Sequence, residues 1–590
     1  VSSGDFRVLV VELGAGRGEV VSVDGRDGVG GGSGLAAHLF ARYAAPDRPW
    51  NDPAQPLIFA IGPLTGLFPL MSKTVCAFKS PYHDQYAESH GGGRSALSLR
   101  LAGLDALVVT GRAARPSCIA VDSRHVEVKE THYLWGRDLY ATGKLLRGMF
   151  PGAGHRSILR IGPAGENGSA MACINVDSYR HFGRLGSGAA MGAKNLKAIV
   201  IHGDGSFPLQ GGKEYPKLFK DVHEKLTGTD MMGKYHDIGT PVNMAILNEA
   251  RMLPIRNLQR TTDPAVAGIT GEKFAELALL RNAACAGCPV GCIHIGFVRE
   301  RFQTKNQYLY RQVAYDHEPI FAVGSMLGVG DCFAVLSILD VVEKVGVDVM
   351  SAGVALAWAT EALETGIVSL QETIVPLAFG DAAGYQQALR HLAAGTNEFY
   401  RLLGQGTLKA VGRYGGGDFA CVLGQEMAGY ATGEVFFTSQ AMGLRHSHLD
   451  SGGYSYDQKE RGKDPAKAVA FLVEDERARV LLTSMVACLF ARGVYTEALL
   501  ADCLASVGRR ALAGNLGAVS HYVQHLRWKT RLATGYRPED VTIPKRFLEI
   551  TTAKGAIDGA YLASLKDEYA KAIRSLALAP GGASPPPVNA

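Results

Sequence analysis

Leu196-Lys-Ala-Ile-Val-Ile-His202-Gly-Asp-Gly-Ser-Phe-Pro-Leu-Gln-Gly-Gly212 is the stretch across which the chain changes character. Its first seven residues are a β-branched, apolar run, and its last nine are turn formers with no apolar period. Upstream, the runs at 7–13, 57–61 and 106–110 have the same short, β-branched form between Gly and Asp turns and read as strands. Downstream, residues 331–346, 348–364, 463–480, 496–511 and 556–578 carry a helical period, the first two separated by Gly346-Val347-Asp348. The expected class is therefore α+β and multidomain. A β-sheet-rich domain over 1–207 precedes two mainly helical domains, 208–405 and 406–579, parted near the glycines at 404, 406 and 415–417. Residues 580–590, rich in Pro, Gly, Ser and Ala, read as a disordered tail.

A chain of 590 residues is too long for one core, and 47% hydrophobic with 20% charged residues describes a folded protein. A net charge of +5, with no Lys/Arg run carrying aromatics, gives no reason to expect nucleic acid. No apolar run reaches membrane-spanning length, because Asp331 and Asp340 interrupt the best candidate. The start, Val1-Ser-Ser-Gly-Asp-Phe, has neither a basic nor an apolar region of signal-peptide type. Ten cysteines are too sparse for a disulfide scaffold, so a cytoplasmic protein with free thiols and a metal site is expected. Glycine clusters at 28–34, 91–93, 183–192 and 415–417 suggest tight turns or backbone packed close against a bulky ligand.

The metal expectation rests on Cys285-Ala-Gly-Cys288-Pro-Val-Gly-Cys292. Three thiols within eight residues, with small residues between them, can converge on one centre. Structural zinc normally takes two close ligand pairs, and no second pair is present. The radical-SAM order of spacings is the reverse of this one. A [4Fe–4S] cluster fits best, with a distant fourth thiolate to be drawn from Cys332, Cys421, Cys488 or Cys503.

The cysteine run resembles the cluster motif of the aldehyde:ferredoxin oxidoreductase family of tungsten or molybdenum bispterin enzymes. Phe59-Ala-Ile-Gly-Pro-Leu-Thr-Gly66, Leu101-Ala-Gly-Leu-Asp105, Leu134-Trp-Gly-Arg-Asp138 and Ile161-Gly-Pro-Ala-Gly-Glu-Asn167 resemble that family's successive segments, in its order. Gly188-Ala-Ala-Met-Gly-Ala-Lys-Asn-Leu-Lys-Ala198 is the most specific of them, and the likeness spans about 5–560. The resemblance implies that Cys488, in Thr483-Ser-Met-Val-Ala-Cys488, is the fourth cluster ligand; Thr483 and Val486 stand where the family has an acid and a glycine. The sister motif maps onto Glu343-Lys-Val-Gly346-Val-Asp348, whose Glu343 and Asp348 would accept hydrogen bonds from pterin N–H groups. Lys73 replaces a customary Arg, a point charge in place of a bidentate fork. The loop His90-Gly91-Gly92-Gly93-Arg94 resembles one whose backbone carbonyls hold a Mg²⁺ bridging two pterin phosphates. Arg94, and Arg184 in Phe182-Gly183-Arg184, are candidate phosphate contacts.

Tyr315-Asp-His-Glu318 and the run Thr438-Ser-Gln-Ala-Met-Gly443-Leu-Arg-His446-Ser-His448 resemble the family's active-site segments, the second being one residue longer here. They imply Glu318 as the active-site carboxylate, His446 as the substrate-pocket histidine and His448 close behind. The implied activity is oxidation of an aldehyde to its acid, in either direction, with electrons leaving through the cluster to ferredoxin or a similar subunit. Homo- and hetero-oligomers are both compatible with it. Two alternatives stand beside it: a low-potential reductase of the same fold acting on aryl-CoA thioesters, and a noncatalytic iron–sulfur electron-transfer subunit.

Overall fold

The computed structural model describes residues 5–152, 154–206, 212, 214–303 and 307–578. The expected boundary at 207–212 falls almost wholly outside these residues, and the expected tail at 580–590 lies outside them.

The N-terminal part builds two six-stranded sheets. The first contains β1 (Phe6–Glu12), β2 (Arg17–Val23), β3 (Leu57–Ala60), β4 (Thr74–Lys79), β5 (Tyr86–Gly91) and β6 (Ala106–Thr110), in the order β2-β1-β6-β3-β4-β5. The second contains β7 (Ser117–Val121), β8 (Val126–Glu130), β9 (His155–Arg160), β10 (Ile174–Val176), β11 (Arg180–Phe182) and β12 (Leu196–Gly203), in the order β11-β10-β9-β12-β7-β8. One pair in each sheet, β1–β6 and β7–β12, is parallel. Side-chain alternation divides the apolar residues between two cores. Leu9, Val11, Phe59, Cys76 and Val109 share a core with Ile119, Leu159, Ile174 and Ile199 of the second sheet. Their neighbours Val8, Ile58, Ala60, Val75 and Val108 point the other way, into a core that runs on through the helices to Ile573 and Ala577.

The helical expectation holds downstream, with one addition. Residues 279–315 form a three-stranded antiparallel sheet of β13 (Leu279–Ala283), β14 (Ile293–Gln303) and β15 (Gln307–Tyr315). Its exposed, charged positions (Arg299, Glu300) hid the alternation in the sequence. The cysteine run is the loop joining β13 to β14.

The helices that matter to the site are α1 (Gly32–Tyr43), α2 (Asp230–Asp237), α3 (His317–Val323), α4 (Cys332–Val345), α5 (Val349–Glu364), α6 (Glu434–Met442), α7 (Gly453–Lys459), α8 (Pro465–Ser484), α9 (Leu516–Ala533) and α10 (Gly559–Leu578). Asp316, Asp331, Asp348 and Asp464 cap α3, α4, α5 and α8 by accepting from backbone N–H groups in their first turns. The expected helix at 496–511 breaks at Gly508 (φ 79°) into Glu497–Ser506 and a short turn Arg510–Ala513. Among the described residues no single helix is long and apolar enough to cross a membrane.

Candidate active site and metal centre

Four of the ten cysteines meet. The 284–292 loop docks on two distant segments through backbone hydrogen bonds. Leu70 N–H donates to Gly287 O (3.3 Å), Ala286 N–H to Gly93 O (3.0 Å), Cys488 N–H to Leu70 O (3.0 Å) and Lys73 N–H to Val486 O (3.2 Å). This brings Cys285, Cys288, Cys292 and Cys488 close enough for each thiolate to feel the others. Burial pushes Cys288 up to about 12 and Cys292 up to about 11, although Arg180 pulls Cys292 back. Burial also raises Cys285, but the charges of Arg180 and Lys73 more than offset it and leave this thiol below its ordinary value.

Gly92 is the hinge of this packing: a Cβ there would lie 2.8 Å from Cys285 Sγ and 3.4 Å from Lys73 Nζ. Lys73 therefore faces the thiols, and they raise it above the usual lysine value against the opposing effect of burial. Among the described residues no three Cys, His, Asp or Glu side chains close around a point that would hold a single ion. Four thiols beside two cations suit a polynuclear sulfur-ligated centre. Cys332, Cys421 and Cys503 are buried in the apolar core.

Arg180, on β11, connects this centre to a carboxylate pair. Its Nη2 is 3.7 Å from Cys292 Sγ and its Nη1 is 3.9 Å from Asp316 Oδ2. Asp316 and Glu318 stand at the start of α3. Glu318 Oε1 accepts from Tyr430 Oη (3.0 Å) and lies 3.1 Å from His448 Nε2. Burial raises the Glu318 carboxyl, but the hydrogen bond and charge of His448 outweigh it and hold it at about 2. Burial, then repulsion from Glu318, lifts Asp316 to about 7 against the pull of Arg180. The Nδ1 of His448 is buried and has no partner among the described residues.

His446 lies elsewhere. Its backbone sits at φ 49°, its Nδ1 meets Gln440 O at 3.2 Å and its Nε2 meets Arg531 at 2.6 Å. Its ring is 5.0 Å from that of His83, beside a separate cavity of about 250 Å³. Burial and Arg531 keep it far below the usual histidine range. The left-handed turn at His446 points it away from Glu318 and leaves His448 to face the carboxylate.

A cavity of about 150 Å³ is lined by Arg180, His181, Gly183, Asp316, Glu343 and Asp348. Glu343 pairs with His181 (3.0 Å), and Asp348 Oδ2 accepts from Ser351 N–H and Oγ–H at 3.0 and 2.6 Å. Its carboxylates suit the N–H edge of a heterocycle. Arg184 Nε donates to Gln425 Oε1 (2.8 Å), and its guanidinium reaches past Met350 at the same end. Phe182 packs edge-on against Phe59 at 5.6 Å, a core role. On the other side, Ser33 Oγ–H donates to Glu88 (3.0 Å), which His90 joins at 3.1 Å, and the Ser33 hydroxyl also meets that of Thr483 at 3.0 Å. Burial and Arg445 bring His90 down to about 4. Gly93 carries φ 102° against Val176, and Arg94 is exposed.

The family model for the aldehyde ferredoxin oxidoreductase N-terminal domain matches residues 8–203, and that for domains 2 and 3 matches 217–574. The chain belongs to the aldehyde ferredoxin oxidoreductase family. It is an oxidoreductase. The tungsten-containing aldehyde ferredoxin oxidoreductase of Pyrococcus horikoshii is 28% identical over 90% of this chain and 88% of its own length. The Pyrococcus furiosus enzyme of that name is 32% identical over 58% of this chain and 55% of its own length. An aliphatic sulfonate oxidoreductase WOR-like subunit from Pyrococcus furiosus is 27% identical over 64% of this chain and 62% of its own. Among solved structures, the active site complex BamBC of benzoyl coenzyme A reductase, in complex with 1,5-dienoyl-CoA, has the same fold. Its TM-score is 0.80 at 18% identity, with 96% of this chain and 95% of that chain covered.

Arg180, Asp316 and Tyr430 escaped the sequence reading of this family member. Asp316 lies inside the quoted Tyr315-Asp-His-Glu318 segment and Arg180 only four residues before Arg184, so both could have been flagged as charged neighbours of motif residues. Tyr430 follows Gly429, whose missing Cβ lets Phe321 and His317 pack against the turn. Nothing in the local pattern marks it.

Proposed function

We propose that the chain is a tungsten-bispterin oxidoreductase that oxidises an aldehyde to a carboxylic acid. A single [4Fe–4S] cluster would supply the electron outlet to a ferredoxin-like carrier. The observation that carries this reading is the unbroken series of side chains from the thiols, through Arg180 and Asp316, to the Glu318–His448 pair. Cys285, Cys288, Cys292 and Cys488 would hold the cluster. Glu343, Asp348 and Arg184 on one side, and Thr483, His90 and Lys73 on the other, would hold the pterins, with the 91–94 loop toward a phosphate-bridging Mg²⁺. Bound there, the metal would supply the two-electron oxidation.

The residues' own work follows from their contacts. Glu318, ionised at any working pH, holds the Nε2 side of the His448 ring and fixes its orientation. His448 Nδ1, which has no partner among the described residues, is then left to hydrogen-bond the substrate. Tyr430 and His448 share Oε1 of Glu318, leaving Oε2 toward the reacting group. Asp316, lining the cavity near neutrality in affinity, is matched to take up the proton released as water adds to the carbonyl.

Holoprotein carrying about one tungsten or molybdenum and four iron per chain, and reducing a viologen dye with aldehydes, is the expected result. Zinc without iron would overturn the assignment. Cys488→Ala should lose the iron, whereas Cys503→Ala should keep it. A second reading, reduction of an aryl-CoA thioester, draws on a wider cavity of about 460 Å³. Arg461, Lys463 and Lys554 at its wall would suit phosphate groups. Turnover of acyl-CoA compounds but not of free aldehydes would select it. A noncatalytic electron carrier has no use for a buried Glu318–His448 pair with a free imidazole nitrogen.

A further inference from the structure

We propose that Arg180 is a positioning residue that sets the reduction potential of the thiolate-bound centre and ties it to the charge of Asp316. The inference rests on the cluster reading above. Among the described residues, Arg180 is the side chain that joins a cluster thiol, Cys292 at 3.7 Å, to a carboxylate of the active-site pair, Asp316 at 3.9 Å. Its charge is felt by Cys285 and Cys488 as well as by Cys292. Its Nε is buried without a partner among the described residues, and Arg180 and Asp316 line the same cavity.

Adding one electron to a sulfur-ligated cluster adds one negative charge. A guanidinium hydrogen-bonded to a ligating sulfur stabilises that charge and raises the potential. A carboxylate on the far side of the same guanidinium does the reverse. It draws positive charge and hydrogen-bonding capacity away from the sulfur. Lys73, the other cation at the thiols, cannot do this in the same way. It faces Cys285 across Gly92, its upward shift comes chiefly from Cys488 and Cys285, and it makes no ion pair with Asp316 among the described residues. The arrangement therefore gives the electron exit a sensor of the carboxylate end of the active site. Glu318 on α3, Lys73 from the opposite wall, Cys292, Tyr315 and Tyr430 are other charged or titratable groups that act on Asp316.

The test is an EPR-monitored redox titration, with dithionite as reductant, of holoprotein from the wild type and three variants. Arg180→Gln should make reduction of the cluster at least tenfold less favourable, a fall of 59 mV for one electron. Arg180→Lys should recover part of that shift. Asp316→Asn, which keeps all four thiols and Arg180, should move the potential upward by a threefold or larger change in the same equilibrium. Iron present in every variant with potentials within twofold of the wild type would overturn the proposal while leaving the cluster reading intact. Wild-type protein without iron would overturn both. Should Arg180→Gln lose its iron, Asp316→Asn and Arg180→Lys decide: an unmoved potential in these two overturns the proposal.

Discussion

At the scale of single residues, the division of labour between two carboxylates two positions apart makes the sharpest predictions. Glu318→Gln removes the anion that holds His448 and should lower kcat/KM by about 10²- to 10⁴-fold, with metal content unchanged. His446→Gln should leave turnover within a fewfold of the wild type, since that ring contacts Arg531 and Gln440 and no atom of Glu318. Steady-state assays of the pair check both. A sequence segment narrows a histidine to two candidates, but the choice between them depends on one backbone φ at His446, which no motif records. The thiols were legible for the opposite reason: ligand spacing is a local property of the chain. Tyr430 and Arg180 were not, because their importance lies in contacts 112 residues away in each case, to Glu318 and to Cys292.

At the scale of elements, the two sister motifs prove to be the same device, a helix end followed by a left-handed turn that presents a polar residue two positions on. α4 ends at Val345, Gly346 takes φ 77°, and Asp348 caps α5. α8 ends at Ser484, Val486 takes φ 58°, and Cys488 follows. A β-branched residue in that region carries a cost of about 1–2 kcal/mol. Buried Val486 offsets it by packing against the glycine-rich start of α1 and Gly62. Gly346→Ala should therefore destabilise by more than about 1 kcal/mol. Its Cβ would also lie 2.9 Å from Gly162 N, which leaves no room for relaxation. The denaturant midpoint measures this. The most family-specific run, 188–198, turns out to be structural. Gly188 and Gly192 back directly onto Gly165, and the buried Lys197 pairs with Glu166. Strands and helices of strong period were readable from local pattern, whereas β13–β15, with charged faces, became visible only through pairing.

At the scale of the whole molecule, buried charges bind the N-terminal sheet to the C-terminal helices. Arg527 of α9 holds Glu88 of β5 at 2.7 Å, with both side chains almost fully buried. Glu88→Ala leaves the guanidinium without its partner and should cost about 3–5 kcal/mol, read as a fall in Tm. Burial raises the Glu88 carboxyl, yet Arg527 and His90 hold it well below the carboxylate range. Its share of stability is thus complete above the unfolded value near 4.3 and is lost as pH falls further. His90 acts earlier. Held at about 4 when folded, it stays neutral while the unfolded chain takes up a proton below about 6.5. Stability should therefore drop from pH 6.5 toward pH 4, by about 2 kcal/mol at pH 5 from this residue alone. His83 and His446, both depressed chiefly by burial, add in the same direction. Thermal melts across that range check the slope.

The docking of the cysteine loop at Leu70 has a consequence for biogenesis. Leu70 receives Cys488 and gives its own N–H to Gly287, so three stretches of chain about 200 residues apart cross at one residue. A ribosome delivers them in order, and domains close as they emerge. A centre with Cys488 as a ligand can be completed only after residue 488 has been made, when the sheets that form its floor are already in place. Loading of such a centre would then follow their folding, and whatever delivers it would meet a folded surface in place of a nascent segment.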